Sequence, residues 1–530
     1  MTMPSMWRTG IDRPATWRGR GARYPSPPFS YRDAGVRSVM VVIALLFCWT
    51  ACAWASGQPI RLSLGEAVRM AAEKNLDVRA ELYTPAQYQA DINRNRAIYD
   101  PQLNIETHYS DFTNPVSGSY GSASNKGHSF VLDSSLSQLF WTGATATLGF
   151  NNSHTKTNQF SSLNNYWQSS LGVTLSQPLL KNMGRDATDL GISISRFSKY
   201  ASMEHFRNLL LNTVSQARTE YFKLYGLQEV REVKRVSLAL ARRILDETRA
   251  RVSAGVLPAM EILNAEYGVT TRERELIAAE KEVNDQVDVL RLLLQISGKG
   301  EIVISDTPRR APYPLDQDQA LRQAMGRPDI RELQRSLDIS ELQSRVFGNN
   351  IKPDLNLSLS GSLVGQGHSY GRDIGDLGSF DYPAWSIGLV FKYPLGNNAA
   401  ENDYRKSRLK NAQTALQIRS LEESAKNEVL SFIRAIDSAF KQIEVADRGR
   451  AFAEERLRAF MRKNSVGLAT TKDVLEVEHD LADAKNSQIA AAVAHDNAIT
   501  RFLQATGQLL DQEGVRFVEG DADRLYLNIY

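Results

Sequence analysis

The chain has 530 residues, 42 % of them apolar, with 63 Lys and Arg against 60 Asp and Glu and a formal net charge of +3. So near-neutral a balance, with no concentrated basic patch in the body of the chain, argues against a polyanionic partner and against nucleic acid. Both cysteines, Cys48 and Cys52, lie close to the N-terminus, so the rest of the chain offers no disulfide framework and no thiol chemistry.

Residues 1–55 read as a targeting segment. Arg8, Arg13, Arg18, Arg20, Arg23, Arg32 and Arg37 precede the apolar run Val39–Ala55, which closes on the small-x-small Ala53-Trp54-Ala55. A secretory signal peptide cleaved before Ser56 is the expectation. The alternative is an N-terminal anchor, since the run approaches the roughly 20 residues of a spanning helix. The basic region is long for a signal, as a start codon set too early would make it. Cys52 is a candidate lipidation site because Thr50-Ala51-Cys52 partly resembles a lipobox, although Trp49 stands where Leu is expected. Past Ser56 no apolar run reaches transmembrane-helix length, so any crossing of a membrane must be made by strands.

The body opens at Ser63-Leu64-Gly65-Glu66, where Ser63 as N-cap and Glu66 three residues on make a capping box. The helix is predicted to run, with a break near Thr84-Pro85, to Tyr99, where Asp100-Pro101 ends it. Gln102–Ser110 alternates apolar and polar as a strand does. Asp111–Gly127 shifts to Ser, Gly, Asn and Thr and reads as a loop. Phe130–Phe140 and Ala144–Phe150 alternate on either side of a turn at Thr142-Gly143. Asn151–Asn165 reads as another polar loop, and Leu171–Leu175 as a strand ending at Gln177-Pro178. Long polar loops alternating with one tight turn fit strands with one extracellular and one periplasmic end.

From about Leu190 the pattern turns helical. Leu210, Val214, Ala217, Tyr221 and Leu224 step by the heptad spacing of a coiled coil. The strong break comes at Arg251–Glu266 (RVSAGVLPAMEILNAE), with Gly255 and Pro258. At 1.5 Å per residue, Leu190–Val252 makes a rod of about 95 Å, longer than an ordinary globular domain needs. Ser297–Pro314 is a linker rich in Gly and Pro.

The second half repeats the first. EAVRMA (Glu66–Ala71) returns as QALRQA (Gln319–Ala324), and Pro101-Gln102-Leu103-Asn104 as Pro353-Asp354-Leu355-Asn356. Leu355–Leu363 and Ile387–Phe391 read as strands around a Gly/Ser/Asp loop at Val364–Tyr382, ending at Pro394 as the earlier set ends at Pro178. A second long helical pattern carries Val429, Phe432, Ile436, Phe440 and Ile443 and breaks at Lys463–Leu481 (KNSVGLATTKDVLEVEHDL). There Gly467 answers Gly255, Asp473 answers Glu261 and Glu478 answers Glu266. Gln504-Ala505-Thr506-Gly507 ends the copy as Gln295-Ile296-Ser297-Gly298 ends the first. Short matches in one order across strand and helix regions describe an internal duplication. The expected organisation is a signal over 1–55, a first repeat over 56–298 (strands about 102–177, long helices about 188–298) and a linker over 299–317. A second repeat follows over 318–507 (strands about 354–394, long helices about 398–507), then a tail over 508–530.

Pro101, Pro178, Pro353 and Pro394 mark the four helix–strand junctions, where a residue that donates to neither helix nor ladder is tolerated. Each half has too few strands for a closed barrel, and lipid tolerates no open edge. Closure therefore calls for several copies around one barrel, a cyclic oligomer.

With its duplicated SLGEAVRMA-type opening, P-x-L-N junctions, LSQPLL and FKYPLG before the long helices, and the tips SAGVLPAMEIL and SVGLATTKDVL, the chain resembles the outer-membrane efflux protein family, the TolC-like channels. The resemblance covers nearly the whole mature length. It implies an α+β membrane protein: a homotrimer with a 12-stranded transmembrane β-barrel in outer-membrane lipid and a long coiled-coil α-helical barrel across the periplasm. It also implies a periplasmic adaptor and an inner-membrane pump of the RND, ABC or MFS class as partners, serving efflux or type I secretion. The first half departs from the pattern by offering four strand candidates where the family needs two. The extra hairpin either widens the barrel or folds outside the membrane or into the pore.

By the same resemblance, Asp473 and Glu476 line the periplasmic aperture and favour cations there. On residue chemistry alone they are equally first-turn acids facing a helix dipole. Glu261 and Asn264 are their first-repeat counterparts. Gly255, Val256, Gly467 and Leu468 form adaptor-docking tips, although a helix C-cap explains both glycines as well. His108, His128, His154, His205, His368, His479 and His495 form no close metal-ligand spacing, and no nucleophile elbow or phosphate loop is present. The expectation is a non-enzyme without metal or other cofactor. The competing reading is a secreted coiled-coil scaffold without channel activity, which accounts for the heptads but not for the strands.

Overall fold

A computed structural model describes residues 60–118, 121–158, 164–298, 300–518 and 520–528. The expected signal peptide with Cys48 and Cys52 lies outside the described residues. Strand β1 (Ile60–Leu62) leads into helices α1 (Leu64–Lys74), α2 (Leu76–Glu81) and α3 (Tyr83–Arg96). The Ser63–Glu66 capping box opens α1 as expected. The breaks fall at Asn75 and Leu82 rather than at Pro85, because Pro85 sits in the first turn of α3, where its missing N–H costs nothing.

Four strands follow: β2 (Gln102–Gly118), β3 (Gly121–Leu139), β4 (Thr145–Thr157) and β5 (Asn165–Pro178). The chain then forms the long helix α4 (Leu190–Ser253), its return partner α5 (Met260–Leu294) and strand β6 (Ile302–Ile304), which pairs parallel with β1. Helices α6 (Gln317–Ala324) and α7 (Pro328–Asn350) precede β7 (Asp354–Gly367), helix α8 (Tyr370–Ser379) and β8 (Pro383–Lys392). The second long pair is α9 (Asn398–Ser465) and α10 (Thr471–Ala505).

At 1.5 Å per residue, the 64 residues of α4 and the 68 of α9 make rods of about 96 and 102 Å. The return helices, each of 35 residues, cover only the tip-ward half of them. The remaining length of α4 packs on α3 and α7, and that of α9 on α7. The heptad residues Leu210, Val214, Ala217, Tyr221 and Leu224 are all buried, as are Val429, Ile436 and Ile443. One core joins Val68, Phe206, Leu210, Val214, Val429, Ile436 and Phe502. A second gathers Tyr221, Leu224, Val287, Leu290 and Ile302 around β1 and β6. The Tyr221 hydroxyl donates to the Leu62 carbonyl and lies 2.9 Å from Asp306 Oδ2; burial pushes this phenol up to about 12. The repeat ends differ: α5 closes on Gln295 in the left-handed region, whereas α10 closes on Gly507.

The strands form one antiparallel sheet in the order β2-β3-β4-β5-β7-β8. Three expectations are corrected here. In the polar stretch Asp111–Gly127, expected as a loop, residues 111–118 and 121–127 are the distal ends of β2 and β3, paired from Gln102↔Ser137 out to Gly118↔Gly121. Asn151–Asn165 likewise continues β4 to Thr157. A mostly polar ribbon carries little period-2 signal, yet its backbone ladder is indifferent to side-chain polarity. Val364–Tyr382, also expected as a loop, contains the end of β7 and all of α8. Asp373 anchors that helix: its buried carboxylate accepts from the Ser169 backbone N–H at 2.9 Å and the Ser169 hydroxyl at 2.5 Å. Gly365 allows the close approach, since a Cβ there would collide with the Asp373 carbonyl.

The extra hairpin is therefore part of the main sheet. The chain supplies six strands where a 12-stranded trimer needs four from each copy.

Candidate functional site

The tips of the two long pairs lie together at one end of the helices. At the first, Gly255 adopts φ +75°. The Val256 N–H donates to the Arg251 carbonyl at 2.9 Å and the Gly255 N–H to Val252 at 3.0 Å. At the second, Gly467 adopts φ +78°, with Leu468 N–H to Lys463 at 2.9 Å and Gly467 N–H to Asn464 at 3.1 Å. Both are Schellman caps, in which a left-handed residue lets the last turn satisfy its own carbonyls. Nothing stands near either glycine's missing Cβ, so the glycine answers backbone conformation alone. The residue that follows is exposed in each: Val256 at 70 % and Leu468 at 77 %.

Arg251, in the last turn of α4, donates to Asn464 Oδ1 at 3.2 Å and to its carbonyl at 2.9 Å. One guanidinium thus ties tip to tip. Thr470 caps α10: the Asp473 N–H donates to the Thr470 hydroxyl at 3.1 Å, and the Asp473 carboxylate accepts from the Thr470 N–H at 2.8 Å. That backbone hydrogen bond, then the Thr470 hydroxyl, hold Asp473 below the usual aspartate range. Glu476, on the same face one turn further, is exposed and forms no ion pair among the described residues. Glu261, the first-repeat counterpart of Asp473, follows Ala259, which gives α5 no side-chain cap.

Further from the tips lies a group that sequence reasoning passed over. Glu478 is 4 % exposed and Arg272 is 7 % exposed. The Arg272 Nη2 stands 2.9 Å from Glu478 Oε2, its Nε donates to the same oxygen at 3.0 Å, and Nη2 also reaches the Leu475 carbonyl at 3.3 Å. The Ser237 hydroxyl donates to the other Glu478 oxygen. The clamp joins α4, α5 and α10. Beside it Glu275 pairs with Lys234 at 2.9 Å. Burial pushes the Glu275 carboxyl up, but the Lys234 hydrogen bond and the charges of Lys234 and Arg272 outweigh it and hold the group low. The signal for Glu478 was present, since Thr471, Val474, Glu478 and Ala482 step in helical phase and are all buried.

Pro101 precedes β2, Pro178 is the last residue of β5, Pro353 precedes β7 and Pro394 follows β8 by two residues. Pro178 stands opposite Asn356, and its missing donor falls where the ladder ends. No group of three or more His, Cys, Asp or Glu with metal-holding geometry occurs among the described residues.

The sheet has two unlike faces. One cross-strand row runs Leu103, Leu136, Leu148, Val173, Gly361, Trp385 through all six strands. The opposite face carries Asn104, Ser135, Gly149, Gly172, Ser362 and Ala384 at the neighbouring register. Toward the helical end the apolar face is bare, with Leu103 66 % and Trp385 81 % exposed, while further out α8 covers Asn152, Ser169 and Gly365 on the same face. That is the sidedness of a barrel wall that meets lipid on one side and water on the other.

The model of the outer membrane efflux protein family matches residues 67–294 and 319–508. The chain belongs to that family. It is 22 % identical over 363 residues to the outer membrane efflux protein BepC of Brucella suis, covering 67 % of this chain and 76 % of BepC. The efflux-family fold recurs in the solved structure of CusC at a TM-score of 0.63 and 15 % identity, over 84 % of this chain and 91 % of that one. The outer membrane channel CmeC of Campylobacter jejuni gives 0.62 and 15 % over 87 % and 89 %. Likeness at that identity speaks for the fold, which places the sheet and the two tips at opposite ends of the long pairs.

Proposed function

We propose that this chain is the outer-membrane exit duct of a tripartite efflux pump or a type I secretion system. Three copies close a β-barrel in the outer membrane and continue it as an α-helical barrel across the periplasm. An adaptor docks at Gly255, Val256, Gly467 and Leu468, and an inner-membrane pump of the RND, ABC or MFS class drives the cargo through it. The protomer is read as an internal duplication over 56–298 and 318–507, joined by the linker 299–317, and as a conduit rather than an enzyme.

The observation that carries this reading is the pairing of a sheet whose apolar face is bare toward the helical end with long helices of about 100 Å that end in exposed apolar tips. A secreted coiled-coil scaffold would have no use for that face, because exposed apolar area on such a scale invites aggregation in water. Membrane fractionation tests it: a trimeric, heat-modifiable species in outer membranes is expected, and a freely soluble monomer overturns it.

Asp473 and Glu476 are assigned to the periplasmic aperture, where copies of each acid around the axis favour cations. Capping of α10 by Asp473 is compatible with that position. Asp473→Ala with Glu476→Ala should raise single-channel conductance in planar bilayers and weaken block by multivalent cations. Unchanged conductance removes the assignment.

A further inference from the structure

The sheet has two free edges. β2 and β8 are its outermost strands and do not pair with each other. Their backbone N–H and C=O groups are unmatched along one side, which hydrocarbon does not tolerate. We propose that β8 of each copy pairs with β2 of the next and that the hairpin β2–β3 is part of the lipid-facing wall. Three copies of six strands then close an 18-stranded barrel instead of a 12-stranded one. This rests on the trimeric channel reading above and adds the strand number, the seam and the width.

Sidedness is the first support. A hairpin folded into the pore or out into water would have no reason to keep the apolar face of its neighbours. β2 places Leu103, Ile105 and Tyr109 on the apolar face, and β3 places Phe130, Leu132 and Leu136 there. These continue through Leu148 and Phe150 of β4 to Leu171 and Val173 of β5. Leu103, Ile105 and Tyr109 are each at least 61 % exposed, matching Ile387, Leu389 and Phe391 at the opposite edge, each at least 63 %. The polar face of the hairpin carries Asn104, Glu106, Asp133 and Ser135, as a water-filled lumen requires.

Direction is the second. β2 leaves the helical end of the molecule at Gln102 and β8 returns to it at Lys392. Placed edge to edge, the two run antiparallel, and an even strand number per copy keeps every pairing around the ring antiparallel. Parity then restricts the register to even shifts, because a slip of one residue would turn an apolar row inward. The level register sets Gln102 opposite Lys392, Asn104 opposite Val390 and Glu106 opposite Gly388 on the lumen side. Leu103 then meets Phe391, Ile105 meets Leu389 and Tyr109 meets Trp385 on the lipid side, so the apolar band crosses the seam unbroken. At equal tilt, barrel diameter grows about linearly with strand number, which makes this barrel about half again as wide as one of 12.

Cysteine pairs test the seam, since the native cysteines are only Cys48 and Cys52. Facing residues of an antiparallel pair have Cα atoms about 4.5–5.5 Å apart, within disulfide reach. Val390→Cys is combined in turn with Gln102→Cys, Asn104→Cys and Glu106→Cys to cover the neighbouring even registers. It is also combined with Thr147→Cys on β4, which β8 would meet only if β2–β3 left the wall. Outer membranes are oxidised and resolved without reductant, and the mass of the detergent-extracted protein is measured separately. The expected result is a reductant-sensitive covalent trimer from at least one β2 pair and none from Thr147. Cross-linking through Thr147, or a trimer that none of the β2 pairs cross-links, overturns the 18-stranded wall and leaves the channel reading standing. A protein that is not trimeric overturns the channel reading and this inference with it.

Discussion

The two hairpin tips share one turn and an exposed apolar residue after its glycine, and differ in the return helices that follow. Gly255 and Gly467 take the same left-handed conformation and close the same pair of cap hydrogen bonds. Beyond the turn, α5 starts without a side-chain cap and leaves Val256, Met260, Leu263 and Tyr267 exposed at 60 % or more. Their spacing of four, three and four is that of an unfilled coiled-coil seam. α10 starts with a full capping box and buries Val474, Leu475, Val477 and Glu478. A repeated backbone motif has thus come to serve two purposes: one return helix presents its apolar edge outward, and the other is gripped from inside the protomer.

The clamp on α10 offers the largest way to break that contrast. Arg272→Ala leaves Glu478 buried without a counter-charge, a change that costs about 3–5 kcal/mol in such pairs. The expected result is a marked fall in thermal stability and a leakier channel. Arg272→Met with Glu478→Leu should recover most of the stability, because an apolar replacement of the whole pair is tolerated. Equal stability of the Arg272→Ala protein and the parent, by calorimetry in detergent, would deny the clamp its role.

Next come the turns. Gly255→Ala and Gly467→Ala each place a Cβ at positive φ with open space around it, so the cost is conformational, about 1–2 kcal/mol. The two variants should lose the same amount, since the turns are alike. A clear inequality in their melting temperatures would show that something outside the protomer already constrains one tip.

The caps should separate what the turns do not. Thr470→Ala removes the side-chain acceptor of the Asp473 N–H and should cost about 1 kcal/mol, whereas Ala259 has no such bond to lose. Hydrogen exchange in the first turns of α10 and α5 reads this: faster exchange confined to α10 is expected, and equal rates before and after substitution contradict it.

The smallest effect is that of pH. Asp473 is held below its ordinary value of 3.8 by the Thr470 N–H and hydroxyl. A carboxylate lowered in the folded state contributes stability that is present above its unfolded value and lost as pH falls through the folded one. Fraying of the first turn of α10 should therefore set in only below about pH 3.8, and should vanish from the pH profile in Asp473→Asn.

Much of the scaffold was legible because burial and periodicity coincide along it. Leu210, Val214, Ala217, Tyr221 and Leu224 face one seam, and their spacing alone announced it. Ser63 and Glu66 cap a helix through local chemistry, and so do Gly255 and Gly467. The distal strands were not legible: from Asp111 to Gly127 the sequence is mostly Ser, Gly, Asn and Thr without a clear period of two, and the cross-strand ladder that pairs β2 with β3 there leaves no such signal. Nor was the helix α8, whose buried Asp373 is satisfied by Ser169 of another strand 204 positions away in the chain. Glu478 lay in plain helical phase among buried positions, but an acid in that phase reads as exposed until a partner is known, and Arg272 is 206 positions distant.

The sequence by itself determined where helix gives way to strand, where each long helix turns back, and which residue faces recur, because these follow from near-neighbour periods and caps. Only the tertiary structure decided that Arg272, Ser237 and Glu478 meet and that the first hairpin lies in the same sheet as the rest. Charge pairing and strand order join residues far apart in the chain, and no local pattern records which edge will find which. That is how two tips with one turn came to differ: the turn is written in the short runs Arg251–Val256 and Lys463–Leu468, and the clamp in the packing of three helices.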